Sequence, residues 1–398
     1  MQVTMDPTTE INYALGITRI CMQALGLWPR TSNKLRLTII AIYLLALTEW
    51  FAGQYAYYIT KKLDWMPFIV KIKHTVVAHM FIGKYLLAII AGSQFGECLS
   101  ALERDWHNVK LTYEIEIMRI YATKGRYYAL ICFILSFTTV TLQLIVPLTP
   151  LSESRAFPYP SHYWFDYQSS PYYEIVYTLK IFSSTILAAC NVTVDGFIII
   201  LIMHVIGQLE LVSEHIRNME VMKSTIETCV QRHRVVIWMA ETLENSFNLV
   251  FLCHFMVSAI VMCLAGYSLM KSVERNESLE SVISMFFIGS IAFHLFLYCY
   301  VSDKLTEKSL QVGYSAYCCN WYQHECKQSK PLLILMIRSS RSLKLSAGKF
   351  IVLSLENFTD VRDYLVVNFK AEIFWYIKKY FLQVLKTTGA YLSVLRKF

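Results

Sequence analysis

Charge is scarce in this chain. Only 17% of its 398 residues are Asp, Glu, Lys or Arg, against about 25% in soluble proteins, and a large soluble enzyme needs more charged surface than that. Glycine and proline are also few, 14 and 9, which excludes a collagenous or flexible repeat. With 55% hydrophobic residues the chain is not disordered. No glycine-rich phosphate loop follows a strand, no Ser/His/Asp arrangement is recognisable and no His-Glu-x-x-His occurs. The groups that nucleotide-dependent enzymes and common hydrolases need are therefore missing, and the chain reads as a non-enzyme without a cofactor. The 11 cysteines form no paired framework. Cys132, Cys190, Cys253, Cys263 and Cys299 sit in apolar runs, as small hydrophobes do. Cys318, Cys319, His324 and Cys326 lie close together, but adjacent cysteines and a two-residue His–Cys step match no zinc pattern. Packing is the reading there, with no metal. No short apolar segment followed by a small-residue cleavage site opens the chain.

What is abundant is hydrophobic length. Mean hydropathy is +0.41, and six runs are each long enough to cross about 30 Å of hydrocarbon as helix. They are Leu37–Ile59, Phe68–Ser93, Tyr127–Pro147, Ile181–Gly207, Phe247–Met270 and Ser281–Ser302. A seventh, more polar, lies near the C-terminus. The expected fold class is all-α, a polytopic membrane protein with seven transmembrane helices and a cytoplasmic N-terminus. Its parts are a cytoplasmic segment 1–36, spans one to four over 37–207, and a cytoplasmic helical extension 208–246. Spans five and six follow over 247–302, then a cytoplasmic anchor segment 303–349 and a final span within 350–398.

Loop charge sets the orientation. The segments that a cytosolic N-terminus would put inside hold Arg19 to Arg36, Arg104 to Arg126, Arg217 to Arg234 and Lys304 to Lys349. They carry 21 basic residues against 8 on the other side, the bias expected of cytoplasmic loops. The formal charge of +8 thus points to an anionic leaflet of membrane lipid and not to nucleic acid. Asn276-Glu277-Ser278 falls in an outside loop, where glycosylation is compatible. An outside C-terminus is the reverse of the G-protein-coupled receptor arrangement.

The outside loop 149–178 is rich in aromatics, with Phe157, Tyr159, Tyr163, Trp164, Phe165, Tyr167, Tyr172, Tyr173 and Tyr177. It suits either an interfacial aromatic belt or a lid over an external pocket. In 208–246, Leu209, Val212, Ile216 and Met219, and later Val236, Met239 and Leu243, recur at helical spacing. That stretch and 303–338 are expected to project as helices and pack on one another or on a neighbouring subunit. Asn191 and Asp195 are polar groups inside span four, functional candidates by default, with structural hydrogen bonding the favoured role.

Ser346-Ala347-Gly348-Lys349-Phe350-Ile351-Val352-Leu353-Ser354-Leu355-Glu356-Asn357-Phe358-Thr359 resembles the last conserved block of insect odorant receptors. So does Val384-Leu385-Lys386-Thr387-Thr388-Gly389-Ala390-Tyr391-Leu392-Ser393-Val394-Leu395-Arg396. Phe165 to Ile175 is similar to that family's second extracellular loop, and Asp195, His204 and Gln208-Leu209 match its pattern more loosely. The likeness is to a tuning subunit of hymenopteran kind. The start and end of the last span expected of gustatory receptors, Thr-Tyr and Gln-Phe, are absent.

The resemblance implies an odorant-binding subunit of a heteromeric, ligand-gated, non-selective cation channel. Its partners would be an odorant co-receptor subunit, a small volatile hydrophobic ligand and membrane lipid, in the plasma membrane of olfactory sensory neuron dendrites. The alternatives are metabotropic signalling and a gustatory-type channel. In the family the last span surrounds the pore, and Val394, followed by Leu395, matches the constricting position, where apolar side chains can hold a pore dry. The pocket is expected in the outer half of the bundle. Candidates are Tyr85 and Ile89 on span two, Thr138, Thr141, Leu142 and Ile145 on span three, Tyr177, Ile181 and Thr185 on span four, and Met285 and Phe286 on span six.

One departure stands out. The two C-terminal blocks run together in the family, whereas here 23 residues, Val361 to Gln383, separate them. The segment opens with Val361-Arg362, which GTA-AGA can encode, and closes with Tyr380-Phe381-Leu382-Gln383, which TAT-TTT-CTT-CAG can encode. These match a splice donor, and a pyrimidine tract with its acceptor, so a retained intron of 69 nucleotides is expected. Joining Asp360 to Val384 leaves 375 residues and a final span of 22, about 33 Å of helix. That span carries Glu356, Asn357, Asp360 and Lys386, tolerable inside a bundle or beside a pore but costly against lipid.

Overall fold

The computed structural model describes residues 6–61, 65–109, 111–148, 155–218, 226–319, 321 and 326–366. Val394 and Leu395, His324, the first residues of the aromatic loop (149–154) and the segment 361–383 beyond its first six residues lie outside that set.

The chain is helical nearly throughout. In order come α1 (Pro7–Ala24), α2 (Asn33–Thr60), α3 (Trp65–Ile90), α4 (Gly92–Asn108), α5 (Thr112–Ile145), α6 (Tyr172–Arg217), α7 (Ile226–Glu274), α8 (Ser278–Cys318) and α9 (Cys326–Ser339). A hairpin β1 (Ser346–Ala347) and β2 (Ile351–Val352) follows, then α10 (Leu355–Val366). Five helices, α2, α5, α6, α7 and α8, are long and apolar enough to cross a membrane. The pair α3 and α4, bent by 69° at Ala91, makes a sixth if taken as one span. The protein is an all-α, multi-pass membrane protein.

Helix α6 is the axis of the bundle. From Cys190 to Leu209 every side chain is buried, and the apolar sequence on all of its faces is what full enclosure requires. α5, α8, α7 and α3 pack around it. The helices run well past the apolar stretches: α5 starts at Thr112, before Tyr127, and α8 continues to Cys318. The overhangs carry the periodic residues of the projecting segments, and Val212, Ile216, Val236, Met239 and Leu243 are all buried.

At this end the chain packs on itself. Arg338 of α9 pairs with Glu241 of α7 at 3.0 Å, and Glu244 accepts from the Ser346 amide at 2.8 Å. The amide of Gly348 donates to the Asn248 carbonyl at 2.9 Å. Gly348 is required there: its φ is +61°, and a Cβ would meet Leu252 Cδ2 at 2.6 Å. α10 is capped by Asp303 of α8, which accepts from the Leu355 amide at 2.8 Å. α1 is started by Asp6, which accepts from the Thr8 amide at 3.1 Å, and is held across α5 by Glu10 and Arg119 at 2.6 Å.

His233 lies buried in the α7 overhang, where burial, aided by the Arg338 charge, pushes its pKa down to about 4. The unfolded chain titrates near 6.5, so between these values it binds more protons than the folded one. Stability from this residue is therefore complete above about pH 6.5 and drains away towards pH 4. At pH 5 the loss should be about 2 kcal/mol. His233→Leu should flatten the fall in thermal unfolding temperature of the detergent-solubilised protein between pH 7 and pH 5. An unaltered slope would refute the assignment.

Candidate functional site

A salt bridge stands in the middle of the bundle. Lys84 of α3 and Asp195 of α6 meet at 2.8 Å with both side chains fully buried. Lys84 Nζ also donates to Asn191 Oδ1 at 2.9 Å, one helical turn from Asp195. The Tyr298 hydroxyl of α8 donates to Asp195 Oδ1 at 2.6 Å. Three helices are thus tied through one carboxylate. Each ion would be costly alone in this environment, and the pairing with further hydrogen bonds makes their burial tolerable. Asn191 and Asp195 have the structural role expected of them. Lys84, which in the sequence only lowers the hydropathy of span two, is the missing partner.

Above this cluster, toward the aromatic loop, lies a cavity of about 70 Å³. It is walled by α3 (His74, Val77, Ala78, Met80, Phe81), α5 (Ser136, Thr139, Val140, Gln143), α6 (Ser184, Leu187, Ala188, Asn191) and α8 (Phe287, Ser290, Ile291, His294). Trp50 of α2, His254 of α7 and Tyr159 of the loop complete it. Along α5 the lining follows i, i+3, i+4, i+7, one helix face about 10 Å long. At its inner end the Ser136 hydroxyl lies 3.5 Å from His294 Nε2, while His294 Nδ1 donates to the Ser290 carbonyl at 2.7 Å. At its outer end Tyr159 donates to Gln143 Oε1 at 3.0 Å.

The loop is folded down over this end as a roof. Tyr159 packs on Trp50 and His74 with ring centroids 5.6 and 5.4 Å apart. Tyr163, also buried, donates to Glu49 of α2, and Glu49 pairs with the fully buried Lys180 of α6 at 3.4 Å. The His162 amide donates to the Gly53 carbonyl at 2.9 Å. A Cβ at Gly53 would lie 2.8 Å from the Tyr163 hydroxyl, so glycine is what lets the loop approach. Trp164, by contrast, is 93% exposed and has the placement of a belt residue. A second cavity of about 180 Å³ lies under the loop, lined by Ala156, Phe157 and Pro158, and shares His74, Gln143 and Phe287 with the first. The two cavities are therefore neighbours, separated by these shared side chains.

None of the eleven pocket residues expected from the sequence lines the inner cavity. Thr138, Thr141 and Ile145 are exposed and Leu142 is half-buried. They repeat the lining spacing of α5 two residues out of register, about 200° around the helix. Ile181, Thr185, Met285 and Phe286 are likewise on the outer surface of the bundle. Tyr177 is buried but spends its hydroxyl on the Leu144 carbonyl at 2.5 Å. Tyr85 and half-buried Ile89 sit deeper than the cavity, and Tyr85 donates to the Leu25 carbonyl at 2.8 Å. The expected residues and the cavity lining share α3, α5, α6 and α8 but lie at different positions on those helices. His74, Gln143, His254 and His294 carried a legible signal, as polar side chains in apolar runs.

The 7tm odorant receptor family matches residues 67–363. Odorant receptor 82a of Drosophila melanogaster is 23% identical over 265 residues, 63% of this chain and 67% of its own length. The odorant receptor coreceptor of Aedes aegypti is 27% identical over 150 residues, 37% of this chain and 30% of its own. The chain likewise spans only 36% and 55% of Drosophila odorant receptors 2a and 13a. The insect olfactory receptor OR5 from Machilis hrabei, solved in complex with eugenol, superposes with a TM-score of 0.76 over 92% of this chain and 98% of that one. At 15% identity that likeness concerns the fold.

Proposed function

Because the chain belongs to the 7tm odorant receptor family, we propose that it is the odorant-binding subunit of a heteromeric, ligand-gated, non-selective cation channel. It conducts rather than catalyses. It crosses the plasma membrane seven times from a cytosolic N-terminus, as the loop charges favour, and works in the dendrites of olfactory sensory neurons. Similarity to odorant receptor coreceptors favours a partner subunit of that kind.

The observation that carries this reading is the roofed cavity between α3, α5, α6 and α8. Its lining is mostly apolar, with a few convergent polar groups, the composition of a small-molecule site. At about 70 Å³ it is smaller than the cavity of about 150 Å³ that admits benzene in another protein. A ligand must therefore widen it, and binding drives gating to the extent that the open state holds the widened cavity. α8 supplies a route. Phe287, Ser290, Ile291 and His294 face the cavity, and Phe296, on the next turn, packs on Phe358 of α10 at 5.4 Å. α10 begins the polar stretch read as the pore-side span.

The test is co-expression of the 375-residue form with a co-receptor, recording current against an odorant panel. No current with surface expression verified would refute the channel reading. Ala188, 1% exposed on the cavity wall, gives a sharper check. Ala188→Leu should fill the space and raise half-maximal concentrations about tenfold, from an overpacking cost of about 1–3 kcal/mol. Unchanged dose–response curves would place the ligand elsewhere.

A further inference from the structure

The polar groups around the inner cavity are unequally occupied. Asn191 Oδ1 is taken by Lys84, the Tyr298 hydroxyl by Asp195 and His294 Nδ1 by the Ser290 carbonyl. His254 is different. Its ring lies 5.2 Å from that of Tyr298 and 6.3 Å from that of His294, and only 2% of the residue is exposed. It lines the cavity, yet neither ring nitrogen has a hydrogen-bond partner. Of the two rings beside it, Tyr298 donates its hydroxyl to Asp195 and His294 donates its Nδ1 proton to Ser290. Trp50 Nε1 and Gln143 Nε2, also on the lining, have no partner either.

A buried polar group without a partner is costly and rare. An imidazole always presents at least one N–H, and indole and amide nitrogens only donate. What the cavity lacks is therefore an acceptor. No Asp, Glu, Lys or Arg lines it among the described residues, and Lys84 and Asp195 beneath it neutralise one another. A carboxylate or ammonium would thus be buried without a counter-ion. A pure hydrocarbon would enter but leave His254 unsatisfied. It would also displace any water standing there without replacing its hydrogen bond.

We propose that the ligand of this cavity is a neutral oxygenated volatile, an apolar body with one acceptor oxygen, and that His254 is the residue that holds the oxygen. This rests on the reading of the cavity as the odorant pocket. His254 then acts as a specificity determinant. The apolar walls contribute affinity in proportion to buried area, and the imidazole discriminates between molecules of equal size.

The probes are alkanes, primary alcohols and methyl ketones of matched chain length, applied to the protein co-expressed with a co-receptor. Oxygenated members should activate at concentrations about tenfold or more below the matched alkane, the cost of leaving a buried donor unpaired. His254→Phe should close that gap by weakening only the oxygenated ligands, and His254→Gln, which keeps a donor, should preserve part of it. Trp50→Phe should leave it. Silence to every oxygenated member, a gap that persists in His254→Phe, or a gap closed by Trp50→Phe instead would each overturn the proposal. If Ala188→Leu raises the half-maximal concentrations of all members while His254→Phe leaves the gap, the pocket stands and the ligand class falls. If Ala188→Leu changes nothing, the pocket reading itself fails.

Discussion

Lys84→Met should leave little folded protein at the cell surface. The substitution removes the counter-ion of a carboxylate with no exposure to solvent and leaves Asp195 with the Tyr298 hydroxyl as its remaining hydrogen-bond donor. Breaking such a pair from one side costs about 3–5 kcal/mol, a large share of the stability of any protein. Asp195→Leu should do equal harm by stranding the ammonium. The double variant should recover much of the loss, because a buried ion pair replaced by apolar groups of similar size is often near neutral. Thermal unfolding of the solubilised protein across this double-variant cycle reads the coupling directly. Singles that behave like the parent, or a double variant no better than the singles, would show that the pair does not hold α3 to α6.

Removing residues 361–383 should convert a silent subunit into a conducting one. With the segment present, Glu372 and the pair Lys378-Lys379 burden the region that must span the bilayer. Charges there cost about 2.5–3.5 kcal/mol each on insertion scales. Without it, Asp360 joins Val384 and a helix of 22 residues is about 33 Å long, enough to cross. In support, the family match ends at residue 363, just inside the segment. Co-expressed with a co-receptor, the 375-residue form should give odorant-evoked current and the 398-residue form little or none at the same expression. Equal currents would refute the inference, as would transcripts that all retain the 69 nucleotides.

The membrane class was legible residue by residue. Transfer from water to hydrocarbon is a property of each side chain and adds up along a run, so the runs around Leu37, Tyr127, Ile181, Phe247 and Ser281 fall on the five helices long and apolar enough to cross a membrane. The periodic apolar residues of the overhangs were legible for a similar reason, since there one face meets water and the other does not. The roof was half legible. The aromatic residues were conspicuous, but only the Gly53 approach and the Tyr163–Glu49 bond separate a lid from a belt.

The pocket face was another matter. A helix that is apolar all round offers no polar side by which to orient it, and lipid tails are no less apolar than a neighbouring helix. Sequence spacing could therefore not say which face of α5 or α6 lines the inner cavity. Thr138 and Thr139 are equivalent in the chain and on different faces in the fold. Nor does anything along the chain announce that Lys84 belongs with Asp195, 111 positions away, or that His254 stands beside Tyr298 and His294 without a hydrogen-bond partner. Composition determined which solvent this protein folds in and which segments enter it. The packing of α3, α6 and α8 decided which side chains meet, because hydrogen bonds and ion pairs act over a few ångströms and only the tertiary fold brings distant residues that close.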